Sequence, residues 1–138
     1  LITSIEHTLE TITASSGIQV SMCYEGEGHE RALSLTARRH LLRICQEAIS
    51  NSLRHAHPAR IDVSAVFTAT AAEITITDDG CGFGSQNSRD LAGHFGIAGM
   101  KDRANLLGGT LVIKSCSGAG TRVSVVVPLS GRRVQDCS

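Results

Sequence analysis

Tryptophan is absent from this chain, and one tyrosine and three phenylalanines are its only aromatic residues. With aromatics at 3%, any core has to be filled by Val, Ile, Leu and Ala. Charge of one sign is also missing: 13 basic residues balance 13 acidic ones, for a formal net charge of zero. A nucleic-acid surface would need a basic excess, so direct nucleic-acid binding is not expected. No apolar run approaches the roughly 20 residues that span a bilayer. The opening LITSIEHTLE has neither a basic start nor a long apolar stretch, which excludes a signal peptide. It does not begin with Met, so the chain is expected to be a piece of something longer. The five cysteines, Cys23, Cys45, Cys81, Cys116 and Cys137, form no CxxC pair. Zinc knuckles and disulfide frameworks need closer or better paired spacing, so reduced thiols in a cytosolic setting are expected. The six histidines show neither HxxxH nor HExxH, which argues against a metal site built only from protein ligands.

What remains is a chain that is 41% apolar and long enough for one domain with one core. Residues 3–15 carry Ile5, Leu9 and Ile12 on one helical face, and Gly17 ends the pattern. Residues 18–22 alternate as a strand, and residues 25–28 read as a loop. The longest helical pattern opens at Ser34, carries Leu35, Leu41, Leu42, Cys45, Ala48, Ile49 and Leu53, and stops at Pro58. Ile61, Val63, Ala65 and Phe67 alternate as a strand, and residues 72–77 form a second one. Residues 79–95 have no periodicity and are rich in Gly, Ser, Asn and Asp, the pattern of a long functional loop. A helix over 97–107 ending at Gly108–Gly109, strands over 110–114 and 121–127, and a disordered tail over 131–138 complete the reading. Short turns between neighbouring strands favour a mixed, mostly antiparallel sheet with helices on one face. That is an α+β fold, a two-layer α/β sandwich spanning residues 1–130, with residues 1–17 as a possible linker helix.

Four stretches could carry chemistry. In QEAISNSLRHAHP (46–58), Glu47 and Asn51 are one turn apart, and Arg54 and His55 continue the stripe. Such a stripe is either a solvated face or a set of oxygen ligands for a hard cation such as Mg²⁺, shared with phosphates. In TITDDGCGFGSQ (75–86), a strand ends at Asp78 and Asp79 and gives way to Gly80, Gly82 and Gly84. This is either a capped turn or a cleft mouth where a carboxylate accepts from an amine and backbone approaches a ligand closely. GHFGIAGMKDRANLLGG (93–109) places Gly93, Gly96 and Gly99 at the start of a helix, where free N–H groups attract phosphate. It lacks the preceding strand that a dinucleotide-binding motif requires. Lys101, Arg103 and His94 fit either phosphate contacts or plain solvation. In GAGTRVSVVVPL (118–129), a turn leads into a core strand, with the Thr121 hydroxyl near its start.

In this order and spacing, the four stretches resemble the GHKL ATP-binding superfamily of gyrase-type ATPases, ninety-kilodalton heat-shock chaperones, mismatch-repair ATPases and histidine kinases. The wording is most similar to the catalytic domain of sensor histidine kinases whose partner regulators carry a helix-turn-helix output domain. The resemblance covers about residues 15–129 and implies a Bergerat-type fold that binds ATP and Mg²⁺. It implies Asn51 as the Mg²⁺ ligand, Glu47 as its acidic partner in catalysis, and Arg54 and His55 beside phosphate. Asp78 would accept from the adenine amine, with Gly80 and Gly82 shaping the pocket and Thr121 supporting that side. His94, Gly96, Ile97, Gly99 and Met100 would lie along the triphosphate and base, and residues 84–95 would form a lid, expected to be disordered without nucleotide.

No helical hairpin fits before residue 18, so the phospho-accepting histidine is expected on a separate dimerisation domain, with a response regulator beyond it. The resemblance therefore implies a monomeric, cytoplasmic kinase domain whose parent could be an inner-membrane sensor. Two other readings share the motifs: a stand-alone serine kinase that binds a sigma factor, and a nucleotide-sensing interaction module without transfer activity.

Overall fold

The computed structural model describes residues 1–81, 96–116 and 118–129. Helix α1 (Ile2–Ser16) is followed by strand β1 (Gln19–Glu25), a 3₁₀ turn (Glu27–Ala32) and helix α2 (Leu35–Asn51). Strands β2 (Arg60–Phe67) and β3 (Ala71–Asp78) come next, then helix α3 (Ile97–Leu106) and strands β4 (Thr110–Cys116) and β5 (Gly120–Pro128). The five strands form one sheet in the order β1-β2-β3-β5-β4. β1 and β2 are parallel, joined through α2, and every other pairing is antiparallel.

Alternation dictates which side of the sheet is covered. Ile61, Val63, Ala65 and Phe67 of β2, Ala72, Ile74 and Ile76 of β3, and Val123, Val125 and Val127 of β5 are buried on one face. Their neighbours Asp62, Ser64, Thr75, Thr77, Arg122 and Ser124 face outward. The three helices pack on the buried face in one continuous core. In α1, Ile2, Ile5, Leu9 and Ile12 are buried, so this helix packs into the core. Ser34 caps α2 by accepting from the Ala37 N–H at 3.0 Å. The buried stripe of α2 is Leu41, Ile44, Cys45, Ala48 and Ile49. Leu35 departs from the expected apolar face and is 64% exposed. Its spacing to Leu41 is six residues, which at about 100° per residue puts the two on different sides of the helix.

Two chain ends of the helices follow their local chemistry. α3 stops at Gly108, whose φ of 73° lets Gly108 N–H donate to the Asn105 carbonyl and Gly109 N–H to that of Ala104. α2 does not run regularly to Pro58, as periodicity suggests. After Asn51 the chain widens into one π turn, Ser52–Ala56, closed by His57 at φ 50°. Pro58 cannot continue a helical hydrogen-bond pattern, so the strand must be reached through a local unwinding.

Burial also divides the cysteines. Cys45 is 1% exposed, and burial pushes its thiol from 9.0 up to about 12, whereas Cys23 and Cys81 are exposed. Thiolate is the reactive form, so Cys45 should resist alkylation at pH 8 while Cys23 and Cys81 label readily. Peptide mapping after iodoacetamide treatment, native against denatured, checks this. Equal labelling of Cys45 in the native chain would contradict the packing. Because the folded pKa is raised, the native state holds the proton more tightly. Its stability should therefore fall as pH rises from about 9 towards 12.

Candidate functional site

The layer between sheet and helices opens at one end into a narrow cleft. Its lining comes from α2 and the π turn (Ala48, Asn51, Ser52, Ala56), from β3 (Ile76, Asp78), from α3 (Ile97, Met100) and from β4 and β5 (Ile113, Thr121, Val123). A mostly apolar wall with a few buried polar groups is the ordinary make-up of a small-molecule pocket.

The polar groups get there by register. Asp78 continues the inward series Ala72, Ile74, Ile76, so its side chain enters the core layer where the strand ends. Thr121 is its direct partner on β5 and points to the same face. Asp78 is only 5% exposed, and both its oxygens are engaged. Oδ2 accepts from the Ser52 hydroxyl at 2.6 Å, and Oδ1 accepts from the Gly80 N–H at 2.8 Å. Thr121 Oγ1 shares a hydrogen bond of 3.0 Å with Ser115 Oγ. Asp79 faces the other way. Its Oδ1 accepts from the N–H groups of Ala59 and Arg60, each at 2.9 Å, which ties the start of β2 to the end of β3.

Asn51, the last residue of α2, is 5% exposed and its Oδ1 lies 3.5 Å from Arg54 Nη2. Arg54 also reaches Glu47 Oε2 at 3.7 Å. Both partners of that pair are substantially exposed, so it adds little to stability and leaves the side chains free to regroup. Glu47 meets the start of α3, because a Cβ on Gly96 would come within 2.5 Å of Glu47 Oε2. Glycine at φ 69° is thus what lets the α3 N-terminus approach this carboxylate. His55 is exposed beside them, and partial desolvation with the nearby charges of Arg54 and His57 holds its imidazole below the ordinary range.

Of the residues singled out in the sequence, Asn51, Asp78, Ile97, Met100 and Thr121 line the cleft together. Glu47, Arg54 and Gly96 cluster next to Asn51, and Gly80 packs on the π turn, where a Cβ would collide with the Ala56 carbonyl. Gly99 is exposed on α3, has no atom within 4 Å of its would-be Cβ, and does not line the cleft. Arg103 turns to α2, its Nη1 3.1 Å from His40 Nδ1, so it braces two helices. Gly82, His94, the proposed lid and the tail lie outside the described residues. Sequence reasoning missed Ser52. A serine directly after Asn51, one turn beyond the buried Ala48, was the available signal.

Residues 36–131 match the family described as histidine kinase-, DNA gyrase B-, and HSP90-like ATPases. Over 106 residues the chain is 37% identical to the signal transduction histidine-protein kinase/phosphatase DegS of Bacillus subtilis (strain 168), covering 76% of this chain and 28% of that protein. It is 42% identical over 96 residues to the nitrate/nitrite sensor protein NarQ of Escherichia coli (strain K12), covering 68% of this chain and 16% of the relative. The chain therefore spans under a third of the length of both relatives. Among solved structures, the histidine kinase domain of the blue-light activated kinase of Erythrobacter litoralis EL346 superposes with a TM-score of 0.71 at 19% identity, covering 94% of this chain and 61% of that one. With a family match over most of its length, and a fold shared with histidine kinase domains, the chain belongs to the histidine kinase-, DNA gyrase B-, and HSP90-like ATPases.

Proposed function

We propose that this chain is the ATP–Mg²⁺-binding catalytic domain of a two-component sensor histidine kinase, one that transfers the γ-phosphoryl group of ATP to a histidine on a separate dimerisation domain. The observation that carries the reading is Asp78, the one buried carboxylate among the described residues, at the polar end of an otherwise apolar cleft. A flat, apolar base with an exocyclic amine fits such a place: its faces take the walls of Ile76, Ile97, Met100 and Val123, and its amine donates to Asp78. Thr121, beside Asp78 on the next strand, supports the same edge.

The phosphates would then lie towards Asn51, Glu47, Arg54 and the start of α3. The donor set there fits a hard cation, because Asn51 and Glu47 offer oxygens and leave room for waters and phosphate oxygens. When bound, Mg²⁺ would neutralise phosphate charge. Arg54 would move from Glu47 to a phosphate oxygen, and the N–H groups at the α3 N-terminus would donate to phosphate oxygens. Glu47 would orient a water or take the proton of the attacking imidazole. Phosphoryl transfer asks little covalent work of the protein beyond such positioning and charge stabilisation.

His29 is the one histidine followed directly by an acid, Glu30, but it does not serve as the acceptor in this reading. It belongs to the 3₁₀ turn beyond the far end of β1, about 20 Å of strand away from Asp78. Glu30 there is held by Arg38 at 3.7 Å. A partner domain and a response regulator complete the proposed phosphorelay. No described helix is long and apolar enough to cross a membrane.

Calorimetric titration of ATP with and without Mg²⁺ tests the phosphate half of the site. Asn51→Ala should cut the Mg²⁺-dependent gain in affinity by about tenfold or more, and leave the metal-free affinity within about twofold. A variant that keeps the full Mg²⁺ gain would remove Asn51 from the metal's ligands.

A further inference from the structure

Ser52 is the first residue of the π turn, and its hydroxyl leaves its own helix to meet a different element. A helical serine commonly donates back to a carbonyl one turn earlier. Here the hydroxyl reaches Asp78 Oδ2 at 2.6 Å, in a spot where both residues are almost fully buried. An ionised carboxylate only accepts, so Ser52 is the donor and keeps nothing but acceptor capacity for a ligand. The Gly80 N–H occupies Oδ1 in the same way, at 2.8 Å. The floor of the cleft therefore presents acceptors: the remaining lone pairs of Asp78 and the Ser52 oxygen.

We infer that Ser52 is a positioning residue that sets base selectivity, holding Asp78 as an acceptor aimed into the cleft so that a 6-amino purine is taken and a 6-keto purine refused. A 6-amino group brings two N–H donors to this floor. A 6-keto oxygen brings an acceptor against the acceptors of Asp78 and Ser52, and buried polar groups without partners are what make such sites discriminate. Helix α2 carries Ser52 to the end of β3, one turn beyond the buried Ala48, whose carbonyl accepts from the Ser52 N–H. The inference rests on the reading of the cleft as an adenine site.

The test is calorimetry on this chain with ATP and with inosine triphosphate, for the parent, Ser52→Ala, Ser52→Thr and Asp78→Asn. Ser52→Ala should weaken ATP roughly tenfold and inosine triphosphate much less, so that the ratio of the two affinities shrinks by about fivefold. Ser52→Thr, which keeps the hydroxyl, should restore the parent ratio. A merely structural role would lower the melting temperature of Ser52→Ala and leave the ratio untouched, and that result overturns the inference. Ser52→Cys, close in size and a weak donor, gives the same reading if the alanine variant is too unstable to titrate. If Asp78→Asn binds both nucleotides as the parent does, the adenine assignment itself falls and takes this inference with it. If Asp78→Asn loses ATP while Ser52→Ala keeps the parent ratio, only the role of Ser52 is lost.

Discussion

Asp78→Asn should weaken ATP binding by at least about a hundredfold, close to 2.7 kcal/mol, with the fold intact by circular dichroism. The substitution changes size very little, so the effect comes from hydrogen-bond direction. Ser52 Oγ–H and Gly80 N–H already converge on the carboxylate, and the adenine amine would be a third donor. A carboxylate has lone pairs for all three. An asparagine has one carbonyl oxygen and an amide that itself donates, so at least one donor must face another. In a site this buried there is no water shell to relieve that conflict, and the penalty is the desolvation cost of an unmet group. The neighbouring acid supplies the control. Asp79→Asn touches only the backbone clamp onto Ala59 and Arg60, so it should cost about 1 kcal/mol of stability and leave ATP affinity unchanged. Paired titrations of the two variants check the assignment. Equal affinity in both would mean that the base is read elsewhere.

The contrast between these two adjacent acids shows where sequence was enough. Period-two alternation through Ala72, Ile74 and Ile76 assigns Asp78 to the covered face and Asp79 to the open one before any coordinates exist. The same alternation puts Thr121 on the covered face of β5, and the strand pairing then sets it opposite Asp78. The helical spacing of Glu47, Asn51 and Arg54 likewise survives in space, because i, i+3 and i+4 neighbours are fixed by helix geometry alone. Three features were not legible. The parallel pairing of β1 with β2 is a tertiary choice, made when α2 crosses over the sheet between them. The π turn leaves no periodic signature over five residues, and the Ser52 hydroxyl's contact with Asp78 is a tertiary one. Gly99 looked like its neighbour Gly96 in a glycine-spaced run. Only Gly96 has a positive φ and a side chain pressed against it, and spacing alone carries no information about either.

Gly120→Ala should be among the most damaging single substitutions outside the apolar core, lowering stability by about 3 kcal/mol and distorting the cleft with it. Two independent penalties combine at this position. Its φ of 91° lies where an L-residue is strained, and an added Cβ would run into the carbonyl oxygen of Asp78 on the paired strand. That oxygen is backbone, so it cannot swing aside as a side-chain tip would. The only relief is to shift the end of β3, which is what aims the Asp78 carboxylate. Gly108 separates the two penalties. Its φ of 73° brings similar strain, but the nearest atom to a Cβ there is Pro128 Cγ at 3.7 Å, an ordinary contact. Gly108→Ala should therefore cost only about 1 kcal/mol, from backbone conformation alone, and leave ATP affinity as it was. Urea melts of the two variants, each with and without ATP, measure the difference. If both cost the same and both still bind, the close approach of β5 to Asp78 is not what holds that carboxylate in place, and its aim must come from Ser52 and Gly80 alone.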